Sequence, residues 1–312
     1  MTLVAHVGAG AFTPLQVVPL LAAAAAYAWR ARNLARRGRP VPAGRQAAFM
    51  VGVLTMLVAL ASPVAHIGEE VFVAHMAQHL LLADVGALLI VIGLTGPVLA
   101  PLLRIRAVDR LRVLANPLVA FPLWVVNLYV WHLPVLYEGA LDSEAVHAAM
   151  HVGFVTTGIL AWMPLFGPLP KPEWLGSIAK LLYIVGLRFG GAILANIFLW
   201  SGTNFYPDYG SGREIWSLGG LADQGAAGTV MMVEQSVLTV CLFGWVFLQA
   251  ARQSEERQAL LELAAEHGVE IDEARVRRAV NAGHGDELRR RIVPEGPPGR
   301  QGPVAGRPAA VG

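Results

Sequence analysis

Apolar residues along this chain gather into seven runs, about 14 to 32, 46 to 65, 72 to 103, 116 to 137, 145 to 167, 177 to 201 and 222 to 250. A helix needs roughly 20 mostly apolar residues to cross about 30 Å of hydrocarbon, and each run approaches or exceeds that length. The third and seventh have residues to spare, enough to tilt or to project from a bilayer. The pattern predicts an all-α integral membrane protein, a bundle of about seven transmembrane helices.

Polar interruptions between the runs orient the bundle. The first loop carries Arg30, Arg32, Arg36, Arg37, Arg39 and Arg45, the third Arg104, Arg106, Arg110 and Arg112, and the fifth Lys171 and Lys180. The second and fourth hold no Lys or Arg, only Glu69, Glu70, Glu138, Asp142 and Glu144, and the sixth has Arg213 alone. Basic residues mark the cytoplasmic side of short loops, so the odd loops face inward, the N-terminus lies outside and the C-terminus is cytoplasmic. Residues 1–250 form the transmembrane domain. The charged, Leu- and Ala-rich stretch 251–292 predicts an amphipathic cytosolic helical segment, and the Pro- and Gly-rich residues 293–312 a disordered tail.

Composition agrees with a membrane setting: 55% of the 312 residues are hydrophobic and only 15% charged, with a mean hydropathy of +0.52. Nucleic acid is not expected as a partner, because no basic patch alternates with aromatics. The single cysteine, Cys241, excludes an intramolecular disulfide and a CxxC metal site. In the N-terminal run the positive charges follow the apolar residues, the reverse of a cleavable signal peptide, so it reads as a first span.

Projected onto this topology, the histidines fall on one side. His66 closes span two, His75 and His79 open span three, His132 lies near the end of span four, His147 and His151 open span five, and Asp223 opens span seven. All of these helix ends face outward. In "HMAQH" (75–79) and "HAAMH" (147–151) the paired imidazoles sit about 40° and about 6 Å apart on one helical face, a spacing used by two ligands of one metal ion. The pairs can form one four-histidine site or two adjacent ones. Imidazole suits Cu, Zn, Fe and Ni, and thioethers favour Cu(I). Met76 and Met150 within the motifs, with Met231 and Met232 on span seven, make copper fit better than calcium or magnesium.

Three further ionisable groups, Asp84, Arg188 and Glu234, fall near one level below the histidines. Asp84 lies nine residues beyond His75, about 13 Å deeper and half a turn round the helix, so it does not share the His75 face. Intramembrane charges face the bundle interior and pair with one another. The three read as a buried charge cluster that fixes packing, with a proton or ion relay as the alternative.

The blocks "HMAQHLLL", "WHLPVLYEGAL", "VHAAMHVGFVTTGILAWMPLFGP" and "LADQGAAGTVMM", in that order over about residues 45 to 250, resemble the multi-span CtaG-type cytochrome c oxidase assembly factors. The resemblance implies a bacterial plasma-membrane protein, not a turnover enzyme, that supplies or inserts copper at the catalytic centre of a haem-copper oxidase. Its implied partners are oxidase subunits or other assembly factors. The family's motif histidines fall on His75, His79, His132, His147 and His151, and its acidic "DQ" on Asp223 and Gln224. The chain departs from the family in running "MMVEQSV" where an aromatic residue followed by Pro or Gly is expected, and Asp84 and Glu234 receive no support from the resemblance. Two other classes remain at this level, a copper or proton-coupled transporter and a membrane haem or copper redox enzyme. A retinal protein is excluded, since span seven has no lysine for a Schiff base.

Overall fold

The computed structural model describes residues 14–209, 213, 214, 216–281 and 283–293, whose regular structure is helical, with no strand among them. The chain divides into two compact units, Met1–Phe243 and Gly244–Gly312. The first contains α1 (Pro14–Arg36), α2 (Ala43–Ala61), α3 (Pro63–Glu70), α4 (Phe72–Gly93), α5 (Gly96–Leu103), α6 (Arg106–Ala115), α7 (Pro117–Trp131), α8 (Pro134–Asp142), α9 (Glu144–Phe166) and α10 (Ser177–Trp200). The long α11 (Gly220–Glu266) begins in this unit and ends in the next.

Among the described residues, α2, α4, α9, α10 and α11 are long and apolar enough to cross a membrane. A sixth crossing arises if α6 and α7, bent by 79° at their junction, count as one span. Several apolar runs are cut at X-Pro steps, because a residue before proline is driven into extended backbone. The second run stops at Ala61, and Ser62 starts α3 by accepting the Val64 N–H at 3.1 Å, with Pro63 in the first turn. Asn116 caps α7 in the same way, accepting the Leu118 N–H at 3.0 Å. The fourth run breaks between Trp131 and Pro134, so His132 sits in a turn. The third run, 72–103, is not one long span: it ends at Gly93, and α5 starts afresh at Gly96-Pro97.

Helix α4 is the centre of the bundle, with α2 and α9 packed against it. Its apolar stretch is 61% buried, against 22–50% in the other four candidate spans. Residues Leu81–Gly86 within it wind as a π-helix, a form met mostly as single turns at functional positions. A Cβ on Gly158 of α9 would collide with the Ala83 carbonyl inside that π segment, so glycine alone allows the two backbones to meet there. Trp162 Nε1–H donates to the same carbonyl at 3.2 Å.

Arginines close the far end of α4. Its last carbonyls have no helical partner, and Arg45 Nη1 donates to Ile92 and Leu94 oxygens at 3.0 and 2.9 Å, while Tyr27 Oη–H donates to Gly93 O at 2.9 Å. Arg30 Nη2 donates to Pro97 O at 2.9 Å just beyond.

The second unit contains the end of α11 with α12 (Glu273–Asn281) and α13 (Gly285–Ile292). These helices bury Leu260, Ala264, Val276, Val280, Leu288 and Ile292 in a small core of their own. The tail expected at 293–312 lies, Val293 apart, outside the described residues.

Candidate metal centre

The first two turns of α4 and of α9 carry the two HxxxH pairs, and the packing of these helices brings the four imidazoles together. Ring centroids lie 4.3 Å apart for His75 and His79, 4.4 Å for His147 and His151, 5.3 Å for His75 and His147 and 5.6 Å for His79 and His151. His75, His79 and His151 are buried and each offers a ring nitrogen within 4.8 Å of the other two. Two bonds of about 2.1 Å to one ion span at most roughly 4.2 Å, so modest ring rotation would close this set. His147 stacks on His75 at 14° and is partly exposed, at the rim. His132, held at the end of α7, places its ring 6.1 Å from that of His79.

Buried polar groups are normally hydrogen-bonded, yet among the described residues both ring nitrogens of His75 and of His79 have no hydrogen-bond partner, nor do Nε2 of His147 and of His151. The Gly68 carbonyl approaches the His75 ring without reaching hydrogen-bond geometry. His151 has one oriented nitrogen: Nδ1–H donates to Gln16 Oε1 at 3.1 Å, which leaves the Nε2 lone pair free. Such a bond to the second nitrogen is how metal-ligating histidines are held in one tautomer. Phe154 covers His79, with centroids 4.3 Å apart, and supplies an apolar wall.

Asp223 does not join the imidazoles. Its Oδ2 accepts the Phe72 N–H at 2.9 Å and Arg213 Nε–H at 2.8 Å, and its Oδ1 accepts the Val73 N–H at 2.9 Å. The carboxylate is fully buried and caps the N-terminus of α4, where unpaired N–H groups and the helix dipole favour an anion. The carboxylate expected as a ligand thus holds the start of the helix that carries His75 and His79. Gln224 Oε1 accepts the Phe205 N–H at 2.9 Å and its Nε2 donates to Thr203 O at 3.1 Å, tying down the α10–α11 loop. His66 pairs within α3, 3.4 Å from Glu70.

The mid-level charges meet. Arg188 Nη2 donates to Asp84 Oδ1 at 2.8 Å, its Nη1 lies 3.6 Å from Glu234 Oε2, and its guanidinium sits 5.2 Å from the Trp162 ring. One cation from α10 thus faces two carboxylates, one from α4 and one from α11.

Sequence reasoning passed over Gln16, a lone amide in the first apolar run, and Arg213, which it read only as a loop charge. Gln16 had a readable signal, since an amide in a lipid-soluble run needs a partner. Arg213 had none, because its partner is known only from the folded loop.

These features define a class: an all-helical, multi-span membrane protein with a cluster of histidines, most of them buried, where the start of its central helix meets that of α9. The family described as cytochrome c oxidase caa3 assembly factor (Caa3_CtaG) matches residues 25–253, and the chain belongs to that family. Uncharacterized proteins of Mycobacterium bovis and Mycobacterium tuberculosis are each 27% identical to it over 250 residues, covering 73% of this chain and 37% of theirs. One from Mycobacterium leprae is 25% identical over 172 residues, covering 49% of this chain and 25% of its own. The chain spans well under half the length of these curated relatives. No solved structure matches it.

Proposed function

We propose that this protein holds copper at an outward-facing site formed by His75, His79 and His151, with His147 at its mouth and His132 beside it, and hands the ion to a haem-copper oxidase under assembly. The observation that carries this reading is the convergence of buried imidazole nitrogens with no hydrogen-bond partner among the described residues. Desolvating them costs free energy that a bound ion would offset. Copper is favoured over zinc by the thioethers among the surrounding residues, Met76, Met150 and Met231, all buried. The family supplies the oxidase connection. The role is holding and transfer without turnover, in a bacterial plasma membrane, with oxidase subunits or other assembly factors as partners.

In this reading α1 and the α6–α7 pair complete seven spans, with the N-terminus outside. Support comes from α4 itself. His75 and His79 lie in its first turns, while Arg45 bonds a carbonyl at its far end and Arg30 one just beyond it. Its 22 residues rise about 33 Å, close to the hydrocarbon thickness of about 30 Å. The histidines then face the side opposite the arginines, which lie inward.

Purification from copper-supplemented cells with metal analysis tests the proposal. Wild type should carry copper, and His75→Ala with His79→Ala should carry less of it, losing the imidazole-bound ion together with the activity of the co-expressed oxidase. Equal copper in both proteins would sink the site. Loss of copper with full oxidase activity would keep the site and reject the assembly role.

A further inference from the structure

We infer that a second, softer metal position lies beside the three-histidine group, between His132 Nε2 and Met76 Sδ, and that it takes copper as Cu(I). The inference deepens the copper reading and rests on it for the identity of the ion, but its geometry involves different atoms.

His132 Nδ1 lies 2.6 Å from the Leu128 carbonyl oxygen. A carbonyl only accepts, so Nδ1 carries the proton, and the neutral ring has its lone pair on Nε2. That nitrogen lies 3.3 Å from Met76 Sδ. A thioether has no hydrogen to donate, so two lone-pair atoms face each other with no proton between them. Two ligands of one ion are arranged in this way. With bonds of about 2.0 Å to nitrogen and about 2.3 Å to sulfur, the 3.3 Å separation corresponds to an angle of roughly 100° at the ion, near tetrahedral.

Space and softness point the same way. Met76 and His132 both line a small cavity of ≈ 30 Å³, shared with His79, Asp84 and Met231. Sulfur from Met76 and imidazole from His132, with Met231 as a second thioether on the wall, form a donor set that selects Cu(I) over Cu(II) and zinc. Met76 is 1% exposed and packs in the main apolar core.

Position suggests the use. Met76 follows His75 on α4 and turns about 100° away from it, so the thioether leaves the histidine face and reaches α7. His79 belongs to the three-histidine group and also lines this cavity, so an ion can pass between the positions without leaving a coordinating side chain. An ion held by imidazoles alone is accepted in either redox state, whereas the sulfur position retains the monovalent one.

The test is anaerobic loading of the purified full chain with Cu(I), followed by counting the metal and by X-ray absorption at the copper edge. Wild type should bind two ions per chain and show sulfur in the copper shell. Met76→Leu, a volume-conserving change, should bind one and lose the sulfur signal. His75→Ala with His151→Ala should keep a sulfur-bound Cu(I). If Met76→Leu does not fold, selenomethionine-labelled wild type replaces it, and copper–selenium scattering is the expected result. Nitrogen-only ligation in wild type, or equal Cu(I) counts in wild type and Met76→Leu, would overturn the second position and leave the three-histidine site standing. Absence of bound copper from every protein rejects both.

Discussion

Asp223 accepts two backbone N–H groups of α4 and one from Arg213, so its carboxylate acts on the histidines through the helix that carries them. Removing one member of a buried ion pair costs roughly 3–5 kcal/mol, because the other charge is left unpaired. Asp223→Ala should lower thermal stability in detergent by that order, and Asp223→Leu with Arg213→Met should recover a large part of it. Were Asp223 a ligand, the folded double variant would lose copper; as a positioning residue it leaves the folded fraction with bound metal. Metal content per folded chain decides between the two. The "DQ" pair is visible in the sequence as polar residues opening an apolar run. Its target is not, because Val73 lies 150 residues earlier in the chain.

At the scale of elements, the close approach of α9 to the π segment of α4 depends on Gly158. Gly158→Ala forces a methyl group against the Ala83 carbonyl and should cost about 1–3 kcal/mol, as overpacking generally does. Gly139→Ala in α8, where a Cβ meets nothing within 4 Å, should leave the melting temperature almost unchanged or slightly raised. Unfolding of both variants in one detergent makes the comparison. The loop between α9 and α10 carries a pH-dependent term. Lys171 Nζ donates to Leu165 O at 2.7 Å, and burial, reinforced by the charges of Lys180 and Arg45, pushes its pKa down to about 8. An unfolded lysine keeps its proton to about 10.4, so between these values the unfolded chain binds more protons and stability rises with pH. Below about 8 both states are charged and the slope vanishes. Wild type should gain stability from pH 8 to 10 relative to Lys171→Met, as read by melting temperatures across that range.

For the molecule as a whole, Arg188 ties α10 to α4 through Asp84 and to α11 through Glu234. Arg188→Met removes the one cation and leaves two carboxylates in a buried setting, which should cost about 3–5 kcal/mol. Adding Asp84→Asn and Glu234→Gln should restore a folded, monodisperse protein, because the uncompensated charge is gone. Size-exclusion profiles and melting curves of the two variants measure this. Failure of the triple variant to recover would mean that the guanidinium serves through its Trp162 contact and shape more than through its charge.

What the sequence determined by itself was local or compositional. Contiguous apolar runs specify membrane helices because lipid offers no partner for backbone polar groups, and HxxxH specifies one helical face because the period of 3.6 residues is set by the backbone. Even there the runs conceal their breaks at Pro63 and Pro134, since proline is apolar by composition while its ring dictates the backbone before it. Tertiary structure alone decided which faces meet: α9 against α4, bringing His151 beside His75 and His79; Arg213 onto Asp223; Arg188 onto Asp84; and His132 onto Met76, 56 residues away. These are encounters of side chains distant in sequence. They depend on helix packing and on where a glycine permits close approach, and no local period encodes them.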